Sequence, residues 1–170
     1  MISAMRPTVV LFDIDGTLLT CGGAGRAAME RAFVDVLGRS DTLDFPFGGM
    51  TDRAIARAGL TPGGAVTEAK IDALIARYLL HLEEGVPRAE RYRVLDGVSA
   101  VLDLLAPLAH VAVGLGTGNV EAGARIKLTR GALWGRFAFG GFGCDSEDRA
   151  ELLACGARRG TERVSGANSA

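Results

Sequence analysis

The chain has 170 residues, the size of one ordinary domain, and a chain of that length buries roughly 70% of its unfolded surface. Its 48% hydrophobic and 23% charged residues exclude a disordered or fibrous chain, and no apolar run approaches the about 18 residues of a membrane span. With 19 Lys and Arg against 20 Asp and Glu, the net charge of −1 supplies no long-range field, so nucleic acid and membrane are not expected as partners. Cys21, Cys144 and Cys155 are far apart with no Cys-x-x-Cys pair, which fits reduced thiols, and Met1 to Pro7 lacks the apolar stretch of a signal peptide; a cytoplasmic location is expected.

Thr8 to Phe12 is an apolar, β-branched run ending at Asp13, the pattern of a strand in a parallel sheet. A helix is predicted from Ala24 to Leu37, stopped by Gly38, then a short helical stretch near Asp52 to Ala58 and a break at Thr61 to Gly64. Thr67 is placed to cap a helix reaching about Glu84, with Ile71, Leu74, Ile75, Tyr78, Leu79 and Leu82 on one stripe. A helix through Val101 to Leu105 precedes a second buried strand, His110 to Leu115, closed by Gly116-Thr117-Gly118-Asn119. A helix over Val120 to Arg130, a short strand at Phe137 to Phe139 and a helix from Ser146 to about Arg158 follow. Residues 160–170 are small, polar and aperiodic and are expected to form a disordered tail. Strand–helix alternation predicts an α/β fold, a Rossmann-like parallel sheet with helices on both faces. The expected division is a catalytic core of residues 1–20 and 91–160 around a helical subdomain of residues 21–90.

Three places carry chemistry. Asp13 and Asp15 project to the same side at the carboxyl end of the first strand, where ligands gather in open α/β sheets, and a divalent cation such as Mg²⁺ would let both stay ionised. Asx-turn formation is the competing explanation of that pair. Thr117, Gly118 and Asn119 offer a hydroxyl and backbone N–H groups at a helix start, a ready anion site as well as ordinary capping chemistry. Lys127 is one of only two lysines in a chain that otherwise uses Arg, which singles out its compact ammonium.

Leu11-Phe12-Asp13-Ile14-Asp15-Gly16-Thr17-Leu18, then Gly116-Thr117-Gly118-Asn119, then Lys127 resemble the first three motifs of the haloacid dehalogenase superfamily. Residues 21–90 look like that family's small cap domain, and Gly49-Met50-Thr51-Asp52-Arg53 resembles a cap segment of the phosphoglycolate phosphatase-like branch. The resemblance implies a phosphatase that hydrolyses a small phosphorylated metabolite, of the phosphoglycolate or sugar phosphate type. In that scheme Asp13 is the nucleophile that forms an aspartyl-phosphate, and Asp15 is the acid and base. Thr117, Gly118 and Asn119 would hold the phosphoryl oxygens, and Lys127 would neutralise charge on Asp13 and on the transferring group. Mg²⁺ would lie on Asp13 and the backbone carbonyl of Asp15. Dehalogenases of the superfamily typically lack the second aspartate, so halide chemistry is set aside.

The fourth motif of that family, an acidic pair after a further strand, is absent. Asp145 or Ser146 is expected to cap the last helix, with Asp148 in its first turn, and only Glu151 and Glu162 follow. The core is therefore expected to be C-terminally incomplete, a shortened or frame-altered version of a longer phosphatase with impaired activity. It would leave a bare edge on the first strand through which copies self-associate. The alternative is a remnant that binds phosphate or a partner without turnover. Gly23-Ala24-Gly25-Arg26-Ala27-Ala28 matches a dinucleotide fingerprint but lies too far from the strand, an EF-hand begun at Asp13 lacks its glycine and glutamate, and no P-loop is present.

Overall fold

The computed structural model describes residues 6–167, without the side chains of 165–167. Strands β1 (Thr8–Phe12), β4 (Val111–Gly116) and β5 (Gly140–Gly141) form a three-stranded parallel sheet in the order β1-β4-β5, with Val10 opposite Val113 and Leu115 opposite Gly140. A two-residue ribbon of β2 (Leu19–Thr20) and β3 (Arg93–Val94) pairs antiparallel and forms the neck of the helical unit between them. That unit holds α1 (Ala24–Leu37), α2 (Asp52–Leu60) and α3 (Glu68–Arg88); the sheet region adds α4 (Val98–Leu105), α5 (Glu121–Arg130) and α6 (Arg149–Ala167). The chain is thus α/β, as its strand–helix alternation predicts.

Local chemistry explains the boundaries. Gly38 closes α1 in the left-handed conformation, with φ of 72° and its N–H on the Val34 carbonyl. Thr51 and Thr67 cap α2 and α3 by accepting the N–H groups of Ala54 and Lys70. α1 packs chiefly on α3. Met29, Ala32 and Phe33 meet Ile71, Leu74, Tyr78, Leu82 and Val86, all 1% exposed or less, and this enclosed packing is continuous with Ile14, Leu115 and Leu128 of the sheet region in one core.

Three expectations need correction. The third strand is Gly140–Gly141 and not Phe137 to Phe139, because the aromatic residues are used for packing: the Phe137 ring lies 6.2 Å from that of Phe12, and Phe139 covers Gly114. Asp148, and not Asp145 or Ser146, caps the last helix, its Oδ1 accepting the N–H groups of Ala150 and Glu151 at 2.7 and 3.2 Å.

The segment expected to be a disordered tail is instead helix through Ala167, with residues 168–170 outside the described part. Its buried stripe is Leu152, Gly156, Gly160 and Val164, a period of four hidden by two glycines. A side chain at Gly160 would strike Val9 and Phe139, and one at Gly156 would press on Leu11 and the backbone of Gly141. A helix interior normally loses about 1 kcal/mol for each glycine, but here the missing Cβ lets α6 lie directly on β1, β4 and β5.

Candidate active site

β1 and β4 run parallel, so the turns after Phe12 and Gly116 open at the same end of the sheet, where a cleft of about 330 Å³ lies against the helical unit. Asp13, Asp15, Thr117, Gly118, Asn119 and Lys127 all line it. After Asp15 the chain reverses through Gly16 at φ 80°, and the amides of Leu18 and Leu19 return to the Ile14 carbonyl. Buried Ile14, Leu18 and Leu19 anchor that turn in the core.

Charge in the cleft is arranged in crossed pairs. Lys127 Nζ donates to Asp15 Oδ2 at 2.7 Å, while Asp13 Oδ2 accepts from Arg149 at 3.1 Å and Asp13 Oδ1 from the Ile14 N–H at 2.8 Å. The expected partnership of Lys127 with Asp13 is thus corrected: the ammonium rises from α5 onto the second carboxylate. Asn119 also departs from its expected role, since its amide Nδ2 donates to Asp15 Oδ2 at 2.9 Å and to Thr117 Oγ1 at 2.8 Å, holding those two groups in place. The Gly118 N–H donates to no protein group among the described residues.

Arg149 is the residue that sequence reading missed. It opens α6, 22 positions beyond Lys127, and nothing marks it among the other arginines of the chain. Asp52 is the second omission. It accepts the Val120 N–H at 2.9 Å, its own N–H donates to the Gly118 carbonyl at 2.8 Å, and it lines the same cleft. The hint was present in the segment Gly49 to Arg53, where Thr51 reads as a cap and Asp52 follows as an acid that a helix dipole favours.

No family model matches the sequence, and no curated protein does. Solved structures do match. A predicted phosphatase from Clostridium acetobutylicum superposes with a TM-score of 0.62 at 16% identity, over 91% of this chain and 71% of that one. Proteins from Lactobacillus plantarum and Haemophilus somnus, both described as phosphoglycolate phosphatases by prediction, give 0.58 and 0.55 at 18% and 16% identity. The chain has the haloacid dehalogenase-like fold. It spans between 60% and 72% of the length of these structures.

Within that fold, the residues present do not complete a site for a divalent ion. Among the described residues no group of three or more acidic, Cys or His side chains converges on one point. Both oxygens of Asp13 already accept N–H groups, and the later acids face elsewhere. Asp145 is clamped by Arg159 at 2.8 Å, Asp148 caps α6, and Glu151 accepts from Ser146 at 2.7 Å. Mg²⁺ demands a near-octahedral oxygen shell, and here a guanidinium stands beside the first carboxylate.

The protonation of the buried groups follows from their neighbours. Burial alone would push the Lys127 ammonium down, but the carboxylates of Asp15 and Asp52 reverse this and leave it above its ordinary value, charged at neutral pH. Burial raises Asp52 to about 6, opposed by Lys127 and by the Val120 N–H. Burial also drives Cys21 up to about 11, so the thiol in this cleft is protonated and inert as a nucleophile at neutral pH. Tyr78, enclosed and facing Asp52, is raised well above the ordinary phenol range by burial first and by that carboxylate next.

Proposed function

We propose that the chain is a phosphomonoester hydrolase in which Asp13 is the nucleophile. The observation that carries this reading is the convergence, at one end of the sheet, of two carboxylates with a hydroxyl, a free backbone N–H and two cations. Asp13 would attack phosphorus, forming an oxygen–phosphorus bond as the bond to the alcohol oxygen breaks, and that oxygen would take a proton from Asp15. Water would then attack the aspartyl-phosphate, giving its proton to Asp15 and releasing inorganic phosphate. Asp15 Oδ2 is held by Lys127 and Asn119, so Oδ1, which meets no protein donor among the described residues, is the atom for these transfers.

The Thr117 hydroxyl and the Gly118 N–H would bind the phosphoryl oxygens, with Asn119 positioning Thr117 and Asp15. Magnesium is the ion the family resemblance implies, on Asp13 and the backbone carbonyl of Asp15, but the side chains present do not complete its shell, and no step above is routed through it. The helical unit of residues 21–90 would act as the cap that selects substrate, Gly48, Gly49 and Met50 facing the cleft beside Arg26. A volume near 330 Å³ suits a small phosphorylated metabolite, and phosphoglycolate is the substrate named for two structural neighbours. No helix among the described residues is long and apolar enough to cross a membrane; free Cys21, Cys144 and Cys155 accord with a reducing cytoplasm.

That no third acid converges on the site among the described residues favours one other reading, a remnant that binds phosphate or a partner without turnover. Hydrolysis of p-nitrophenyl phosphate separates the two. Turnover by the full chain that falls at least about 100-fold in Asp13→Asn supports the hydrolase. Equal rates in both proteins reject it.

A further inference from the structure

We infer that Arg149 is the cation that holds a phosphoryl group against Asp13 in this chain, in the role a divalent ion would otherwise take. The inference rests on the phosphomonoesterase reading for the identity of the ligand, and on three observations for the residue. Arg149 Nη2 donates to Asp13 Oδ2 at 3.1 Å, so the guanidinium already lies on the carboxylate that phosphorus must approach. Its Nη1 lies against Gly118, where a Cβ would come within 3.2 Å, which puts the fork beside the free N–H of the anion-binding turn. Lys127 is committed to Asp15, leaving Arg149 as the positive group paired with the first carboxylate.

A guanidinium carries five N–H donors in a planar fork, and Asp13 is the only protein acceptor this one meets among the described residues. The remaining donors match a phosphate dianion, which arginine grips through two parallel hydrogen bonds. Exposure of 33% for the side chain leaves that edge open to the cleft. The position is also braced. Arg149 is the first residue of α6, whose preceding turn is fixed by the Asp148 cap and by Glu147, gripped by Arg57 of α2 at 2.7 to 3.1 Å. Swinging α6 away would break those bonds together with the packing of Leu152, so the fork is preorganised. Arg149 here offsets the repulsion between Asp13 and an incoming anion, the electrostatic task that a divalent cation would perform in a complete metal site.

Calorimetric titration of inorganic phosphate into the full chain, with excess EDTA, tests this without relying on turnover. Phosphate is expected to bind the unaltered chain in EDTA, to bind Arg149→Ala at least about tenfold more weakly, and to recover part of that loss in Arg149→Lys, which restores charge but not the fork. Far-ultraviolet dichroism and melting temperature confirm that the variants are folded. Binding that appears only when Mg²⁺ is added, or that is the same in Arg149→Ala, overturns the inference, as does no binding under either condition. The p-nitrophenyl phosphate assay keeps the two claims apart. Arg149-dependent phosphate binding without turnover sinks the hydrolase reading alone, and turnover with strictly Mg²⁺-dependent binding sinks the role of Arg149 alone.

Discussion

The helical unit and the sheet solve the burial problem differently. In α1 to α3, large side chains from three helices close on one another, and Phe33 is fully enclosed, its ring resting where a side chain at Gly59 would sit. Among the described residues the sheet has three strands, and Val9, Val10, Leu11 and Phe12 of β1 are all only partly buried. One face is sealed by α6, glycine against glycine, but among the described residues no strand lies beside the outer edge of β1. The helices are the more fully enclosed part of one continuous core, and the candidate site lies where they meet a sheet that depends on α6 for cover.

The largest effect is expected from breaking the better-packed side. Phe33→Ala should cost about 3–5 kcal/mol, the range for removing an enclosed aromatic ring. Val10→Ala on the partly buried strand should cost only about 1 kcal/mol, since about 0.8 kcal/mol per methylene is only partly realised. Urea unfolding of both variants measures the contrast, and equal losses would show that the two regions are equally packed.

The junction between the regions yields the next effect. Asp52 belongs to α2 yet bonds to the turn of the sheet region, facing Lys127 and Asp15 across the cleft and Tyr78 from α3. Its pKa of about 6 lies above the ordinary aspartate value near 4, so between those pH values the folded chain holds a proton that the unfolded chain has lost. This group alone therefore makes the fold more stable at low pH, and that advantage disappears as pH rises from about 4 through about 6. Asp52→Asn removes the titration while keeping an acceptor for Val120. The stability of the variant relative to the parent should rise by on the order of 2–3 kcal/mol between pH 4 and pH 7. Denaturation curves at the two pH values check this, and a pH-independent difference would mean that Asp52 is not buried as an acid.

Much of this architecture could be read from local signals. Gly38, Thr51 and Thr67 mark helix ends by mechanisms a few residues long, and Asp13, Asp15, Thr117 and Lys127 lie at strand ends or one helix beyond, so their shared cleft follows once the strands are recognised. What escaped depends on distant contacts. Leu152 and Gly156 fall within the helix the sequence predicts, but the continuation of their stripe through Gly160 and Val164 looks like a loose tail because glycine signals flexibility, while its value here is a close approach to Val9 and Phe139. The pairing of cations also escaped, because which of two carboxylates an ammonium reaches is set by how α5 and α6 pack. Arg149 reaches Asp13 only after α6 folds back over the sheet.

The smallest effect concerns the open edge of β1, where we propose that a second copy of the chain docks. Thr8 N–H bonds toward β4 through the His110 carbonyl, so by the alternation of a parallel ladder the Val9 and Leu11 N–H groups point away from it. Those outward donors, on an apolar strand without lysine or proline, form a template for another strand. Sedimentation equilibrium should show reversible association whose extent rises with concentration. Val9→Pro deletes one outward N–H and leaves the β4 ladder intact, as proline on an edge strand allows. The loss of about 1 kcal/mol for one hydrogen bond should weaken association about fivefold. A parent chain that sediments as a monomer at every concentration would show that this edge, though unpaired, attracts no partner of its own kind.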